Sequence, residues 1–396
     1  MKNKCYTYLR RFFGVSALVL AAGIPRTASA QNWTSQVSGV SAALNGVFFT
    51  SSEDGFAVGS VGTILSTTDS GNTWVDNSTG SVTYHGVYFV SPSQGYIVGD
   101  NGTVLATANG GGAWNVSLSG APFPAYAVFF ISPTHGWVVG GNGSLLATTN
   151  SGGNWNQKST GTPFTLRAVH FVSDTLGWFV GDVGTIKVSN DSGNTWTTQT
   201  SGVTATLYSV YFHDESLGWA VGGNGTILHT SNGGSTWTAQ VSGTTNNLTR
   251  VQFVSATEGW ASGSAGTIIK TTDGGANWVP MVSGTSAFLS CIHMLSADLG
   301  WVVGASGKIM RFETPVSVSE VENAELQALV YPNPAGSEVY IQATGKVQQV
   351  AIFDITGALV RVESSNSFSV ASLASGTYML RITTENATGV FRLVRQ

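Results

Sequence analysis

Residues 177–196 read GWFVGDVGTIKVSNDSGNTW, and the organisation of most of the chain follows from that stretch. It holds the phrase Gly177-Trp178-Phe179-Val180-Gly181, then an apolar run, then a polar turn that closes on Trp196. The phrase returns at Gly55, Gly95, Gly136, Gly218, Gly259 and Gly300, spaced by 40 residues once and by 41 five times. A fixed period in this range is the signature of a repeat architecture. Each unit divides into four strand-sized pieces, which in the fourth unit are Arg167–Val172, Trp178–Gly181, Thr185–Ser189 and Trp196–Thr200. Apolar and polar residues roughly alternate along them, and Gly or Asn-Gly fills the turns. Each unit is therefore predicted to be a four-stranded antiparallel sheet, the blade of a β-propeller. The 3.6-residue apolar period of a helical solenoid is absent. Seven units predict seven blades, in an all-β chain.

The ends of the array carry a second signal. Trp33, Trp74, Trp114, Trp155, Trp196, Trp237 and Trp278 recur at 40 to 41 residues, but no eighth member follows Gly304. The seventh unit thus lacks an outer strand, and the segment Trp33–Val37 is one strand in excess. Pairing the two is predicted to close the ring and hide both sheet edges.

Composition agrees and sets limits. The 396 residues include 50 Gly and 12 Trp, with 42% hydrophobic and only 10% charged positions. That is enough apolar material for a large core and excludes wholesale disorder. Lys2, Lys4, Arg10, Arg11 and Arg26 all fall in the first 30 residues, which hold no acid. Without them, 12 basic residues face 21 acidic ones, a net charge of −9, which argues against a nucleic-acid partner. The same 1–30 segment has a basic start, an apolar stretch from Phe12 to Ile24, and a small-residue site at Ala28-Ser29-Ala30. It is expected to be an export signal peptide, leaving no transmembrane anchor in the mature chain. The mature chain would keep only Cys291, so no intrachain disulfide or thiolate cluster is expected.

Six of the Trp residues close a shorter box, Thr67-Thr68-Asp69-Ser70-Gly71-Asn72-Thr73-Trp74 in the first unit. Asn109, Asn150, Asp191, Asn232 and Asp273 stand at the Asp69 position. This resembles the Asp-box of bacterial neuraminidase repeats. A tight hairpin explains it: Asp or Asn satisfies turn amides, Gly takes a positive φ, and Trp buries between units. Asn in three of six boxes argues against a metal role. The whole unit over 31–312 is similar to the propellers of photosystem II stability/assembly factors and their non-photosynthetic relatives. That resemblance implies a fold and a scaffold or assembly role, not a chemistry.

After Phe312 the character changes. Residues 313–329 are acidic, without Lys, Arg or aromatic side chains, and read as a linker. Residues 330–396 then carry Tyr331-Pro332-Asn333-Pro334, a turn at Asp354–Gly357, Leu373-Ala374-Ser375-Gly376-Thr377-Tyr378 and a basic end. These motifs resemble the type IX secretion sorting domain, an immunoglobulin-like β-sandwich of Bacteroidetes-type bacteria. The resemblance implies the type IX secretion machinery as a partner. It also implies a destination outside the cell or on the outer surface of a Gram-negative bacterium.

Functional candidates come from the inner strand of each unit. The residue four places before its Phe (Met294 in the seventh) changes while its neighbours repeat: Asn45, His85, Tyr126, Arg167, Tyr208, Thr249 and Ser290. Neighbouring turns add Asp100, Asp182 and Ser264. Aromatic, cationic and carboxylate groups at one channel mouth suit an unidentified glycan, peptide or protein ligand. No catalytic residue, cofactor or metal is expected. A sialidase-like site needs three Arg, and Arg311 stands too near the box face to join Arg167 and Arg250. The competing reading is a secreted polysaccharide hydrolase, for which Asp100 and Asp182 are the available acid pair. The histidines show no ligand spacing, and His170 and His293, at one repeat position, are expected to be packed.

Overall fold

The computed structural model describes residues 33–118, 120–314, 326, 328–354, 358–385 and 387–396. The expected export signal, most of the linker and the Ile355-Thr356-Gly357 turn lie outside the described residues. The chain divides into two compact units after Thr314. Strands dominate both, and the only described helices are three-residue 3₁₀ turns.

The first unit repeats one design. In the fourth sheet, Leu166–Phe171, Gly177–Gly181, Ile186–Ser189 and Thr197–Gln199 pair antiparallel in chain order. Five further sheets, beginning at Leu44, Tyr84, Ala125, Leu207 and Leu248, keep that order. The seventh joins Leu289–Met294, Leu299–Gly304 and Lys308–Glu313 to Trp33–Gln36, with Trp33 opposite Phe312 and Gln36 opposite Ile309. Each inner strand packs beside the next, and Leu289–Met294 lies against both Leu248–Phe253 and Leu44–Phe49.

What joins one sheet to the next is aromatic. For Trp137, Trp178, Trp219 and Trp301 the Trp of the phrase lies flat on the inner-strand Phe of the following sheet, whereas the sheet after Trp260 offers Met294 instead. Ring centroids are 3.6 Å apart for Trp137–Phe171, 3.5 Å for Trp178–Phe212 and 3.4 Å for Trp301–Phe49. Its Nε1 donates to a carbonyl in that sheet's box turn: Trp137 to Ser192, Trp178 to Gly233, Trp219 to Gly274, Trp301 to Ser70. The first Gly of the phrase makes room for this, since a Cβ at Gly218 would stand 2.5 Å from the Phe212 ring.

The box is a hydrogen-bonded turn, as its sequence suggests. Asp191 Oδ1 accepts from Thr195 N at 2.8 Å and from Ser189 Oγ at 2.8 Å, and Oδ2 accepts from Thr195 Oγ1 at 2.6 Å. These bonds, the Thr195 hydroxyl first, hold the carboxyl below its usual range. Asn150 takes the same backbone bond from Asn154 N at 2.9 Å, so the charge is dispensable. The box Trp differs from expectation. Only Trp278 is buried, and the others are half-exposed, edge-on to the Phe of their own sheet. The phrase Trp fills the space between sheets first.

The second unit has a three-stranded sheet, Ala328–Tyr331, Glu338–Ala343 and Ser367–Ser369. Its four-stranded sheet runs in the order Leu359–Glu363, Val347–Phe353, Gly376–Thr384, Thr388–Arg395. Val339, Ile341 and Phe368 from the first meet Val350, Ile352, Leu380 and Leu393 from the second in one core.

Trp33 is 5% exposed and its ring centre lies 5.3 Å from that of Phe312. Trp33→Ala is expected to destabilise the first unit by about 3–5 kcal/mol, the range for emptying a buried aromatic site. Chemical unfolding followed by Trp fluorescence measures it. A loss under about 1 kcal/mol would mean the Trp33–Gln36 strand is not an integral part of its sheet.

Candidate functional site

Every inner strand carries the same irregularity. The pairing register slips between its first and third residues, from Leu44/Gly46 in the first sheet to Leu289/Cys291 in the seventh. The second residue is the one left without a ladder partner, and a bulge re-aims such a side chain. Those second residues are Asn45, His85, Tyr126, Arg167, Tyr208, Thr249 and Ser290. All seven line one cavity of about 500 Å³ enclosed by the inner strands. Asp100, Asp182 and Ser264 do not line it.

The mouth is asymmetric. On one side His85 Nε2 donates to Asp100 Oδ1 at 2.7 Å. Arg167 pairs with both oxygens of Asp182 at 2.9 and 3.2 Å. Tyr126 lies between them, its ring 5.0 Å from that of His85 and 4.8 Å from the Arg167 guanidinium carbon. Three adjacent sheets therefore present a continuous strip, Asp100–His85–Tyr126–Arg167–Asp182. On the other side, Asn45 Nδ2 donates to the Tyr84 carbonyl at 2.8 Å and Thr249 Oγ1 to the Leu289 carbonyl at 2.7 Å. These two side chains tie neighbouring strands together. Ser264 Oγ accepts from Asn247 N at 3.0 Å and belongs to its turn.

Deeper in, the fifth residues of the inner strands form a collar that the candidate list omits. Phe48, Tyr88, Phe129, His170 and Tyr211 follow one another with ring centres 4.9–5.3 Å apart, and His293 lies 4.5 Å from Phe48. Gln252 fills the remaining place, bonded through its amide to Met294 N and O at 2.9 and 2.8 Å. The signal was available: the residue before the repeated Phe is aromatic, His or Gln in every unit. His170 and His293 are packed, as their shared repeat position suggests. Burial, then the charge of Arg250, pushes His170 down to about 3 and His293 down to about 4. Burial pushes the Tyr88 phenol up to about 12.

The candidate acids Asp100 and Asp182, and Arg311, are already engaged. Asp100 accepts from His85 and Asp182 pairs with the Arg167 guanidinium, each within its own sheet. Arg311 pairs with Glu313 at 2.9 Å, faces Trp301 and does not line the cavity. Among the described residues no three His, Cys, Asp or Glu side chains come together as a metal site. Nor is any described helix long and apolar enough to cross a membrane.

Comparison with known proteins agrees with both halves of this architecture. Residues 329–396 match the secretion system C-terminal sorting domain. Overlapping segments 122–199, 161–242, 190–279 and 238–313 match the photosynthesis system II assembly factor YCF48 family. The chain thus resembles the YCF48 family over residues 122–313 and carries a match to a secretion sorting domain over residues 329–396. Among solved structures, YCF48 bound to a D1 peptide is 20% identical, with a TM-score of 0.62 over 72% of this chain and 97% of that one. YCF48 from Cyanidioschyzon merolae is 19% identical, with a TM-score of 0.61 over 71% and 98%. PorZ, a surface component of the type IX secretion system of Porphyromonas gingivalis, is 12% identical, with a TM-score of 0.52 over 87% and 58%. At these identities the likeness is one of propeller fold. No curated protein matches the chain in sequence.

The two collar histidines have a consequence for stability. Unfolded, they protonate near about pH 6.5. Folded, they resist protonation down to about 3 and about 4, so proton uptake favours the unfolded chain and stability falls as pH drops through that window. The double substitution His170→Phe and His293→Phe places there the residue of the first and third sheets. It is expected to flatten the fall in urea midpoint between about pH 6.5 and about pH 4.5. An unchanged slope would assign the acid sensitivity elsewhere.

Proposed function

We propose that the chain is a non-catalytic binding module, delivered outside the cell or to its outer surface by the type IX machinery acting on residues 330–396. In this reading the seven four-stranded sheets are the blades of one propeller, closed where Trp33–Gln36 completes the last blade. The second unit is an immunoglobulin-like sandwich, residues 313–329 link the two, and residues 1–30 start export. One observation carries the binding role. The seven side chains freed by the bulges converge on one cavity, and, apart from the pair Tyr126 and Tyr208, they differ from sheet to sheet. Packing alone would keep a common residue there, as it keeps Val, Ile and Phe two and four places on.

The ligand belongs to the classes such a mouth can hold, a glycan or a peptide. Tyr126 and Tyr208 offer aromatic faces, and the strip from Asp100 to Asp182 offers both charges at fixed positions. That a YCF48 of the same fold was solved with a peptide supports the peptide class. Hydrolysis of a polysaccharide needs one acid free to donate a proton and a second to act as base or nucleophile. Asp100 and Asp182 are instead committed to His85 and Arg167.

Binding of the full chain to glycan and peptide arrays tests this. Arg167→Ala and Tyr126→Ala are each expected to weaken the strongest signal by about tenfold, the scale of one charge-assisted or aromatic contact. Binding unchanged in both would place the ligand elsewhere.

Export is tested separately. Chain ending at Leu329 is expected to accumulate inside the outer membrane, whereas the full chain reaches the surface or medium. Secretion of the truncated chain would remove the sorting role.

A further inference from the structure

The third residue of the inner strand is small in six sheets: Gly46, Gly86, Ala127, Ala168, Ser209 and Cys291. In the sixth it is Arg250. A long cation here costs cavity volume and gains nothing from packing, since six sheets do without it. Arg250 lines the cavity next to the mouth residue Thr249 and is itself exposed. It acts electrostatically on Tyr88, His170 and His293, which come from sheets around the ring. Its guanidinium therefore faces the channel.

Nothing in the cavity answers its charge. No Asp or Glu lines it. Arg167, the other cation there, is spent on Asp182. Among the described residues Arg250 has no ion pair. His170 Nδ1 and His293 Nε2 are buried without a hydrogen-bond partner. At the mouth, the hydroxyls of Tyr126, Tyr208 and Ser290 make no hydrogen bond to the described chain. The space therefore combines one unanswered positive charge, neutral polar atoms beside it, free hydroxyls above it and an aromatic wall. A volume of about 500 Å³ suits one small ring compound.

We infer that Arg250 anchors a carboxylate and that the cavity takes an acidic sugar, a hexuronate, in preference to a neutral one. The carboxylate meets the guanidinium, which presents donors in a fork matched to it. The sugar hydroxyls meet the tyrosine and serine hydroxyls, and its C–H face lies on the aromatic wall. This inference rests on the binding reading above and adds the ligand's charge and class to it.

Calorimetric titration of the full chain with D-glucuronate, D-glucose and acetate tests it. Glucuronate is expected to bind about tenfold or more tighter than either, with affinity falling as salt rises. Arg250→Ala, which places the residue of the third and fourth sheets, is expected to abolish the preference over glucose. Arg250→Lys is expected to keep only part of it, because an ammonium lacks the fork. Arg167→Ala is expected to weaken acid and neutral sugar alike. Equal affinity for glucose, equal affinity for acetate, a preference that survives Arg250→Ala, or no binding of glucuronate would each overturn the inference. The mouth reading fails only if Arg167→Ala and Tyr126→Ala leave the array signals untouched, so the two failures are distinct.

Discussion

The first unit depends on one contact made again and again: an indole lying flat on the benzyl ring of the next sheet while its N–H reaches that sheet's turn. The stack is hydrophobic and directional at once. It buries the largest side chains of the unit, and its hydrogen bond fixes the angle at which the next sheet stands. Gly on one side and the box turn on the other exist to let the two rings meet. The period of 40 to 41 residues is the chain length needed to return to that contact. Phe56 on Phe89 and Tyr96 on Phe130 show that other aromatic rings serve as well, at centroid distances of 4.7 and 3.9 Å.

The candidate site lies where the repeat is broken. A bulge in each inner strand takes one residue out of the ladder. Once removed from pairing, that residue is free of the constraint that keeps its neighbours alike. Asn45 and Thr249 use the freedom to peg adjacent strands, whereas His85, Tyr126 and Arg167 use it to build a charged and aromatic strip. Arg250 departs from its own column in a different way, by placing a cation where the other sheets have almost no side chain. The deep collar obeys a looser rule, in which aromatic rings, His and Gln all fill one circle.

Much of this was legible in the residues. Gly-aromatic-x-Val-Gly located every sheet, and the unmatched Trp33 located the strand that pairs with Lys308–Glu313. The mouth residues were visible as the variable column. The bulge that frees them was not, because a slip in register leaves no composition mark when the flanking residues stay apolar. The collar was hidden by its near-regularity: a ring at this position in six of seven units, with Gln252 in the other, reads as core. Nor did sequence separate the two Trp columns by depth, since both recur at one spacing and only the packing order decides which is covered first. In the second unit, Ala328–Tyr331 and Ser367–Ser369 are short edge strands: the first runs directly out of the linker into Pro332, and the second has a single apolar residue, so neither shows an alternating pattern.

The pairing of Trp33–Gln36 with Lys308–Glu313 differs in one respect from every other outer pair in the unit: no box joins its two strands. Trp260 stands where Trp137 and Trp219 stand in their sheets, yet its Nε1 has no acceptor, because the carbonyl it would use belongs to the absent turn. The two strands run antiparallel with Trp33 opposite Phe312, so the chain enters the first strand and leaves the second at the same end of the pair. Tension applied across those ends loads the ladder rung by rung, as a zip is opened, and never in shear. The other six sheets are each one continuous stretch of chain, so under such tension this pair is the joint at which strands can separate with no turn to hold them.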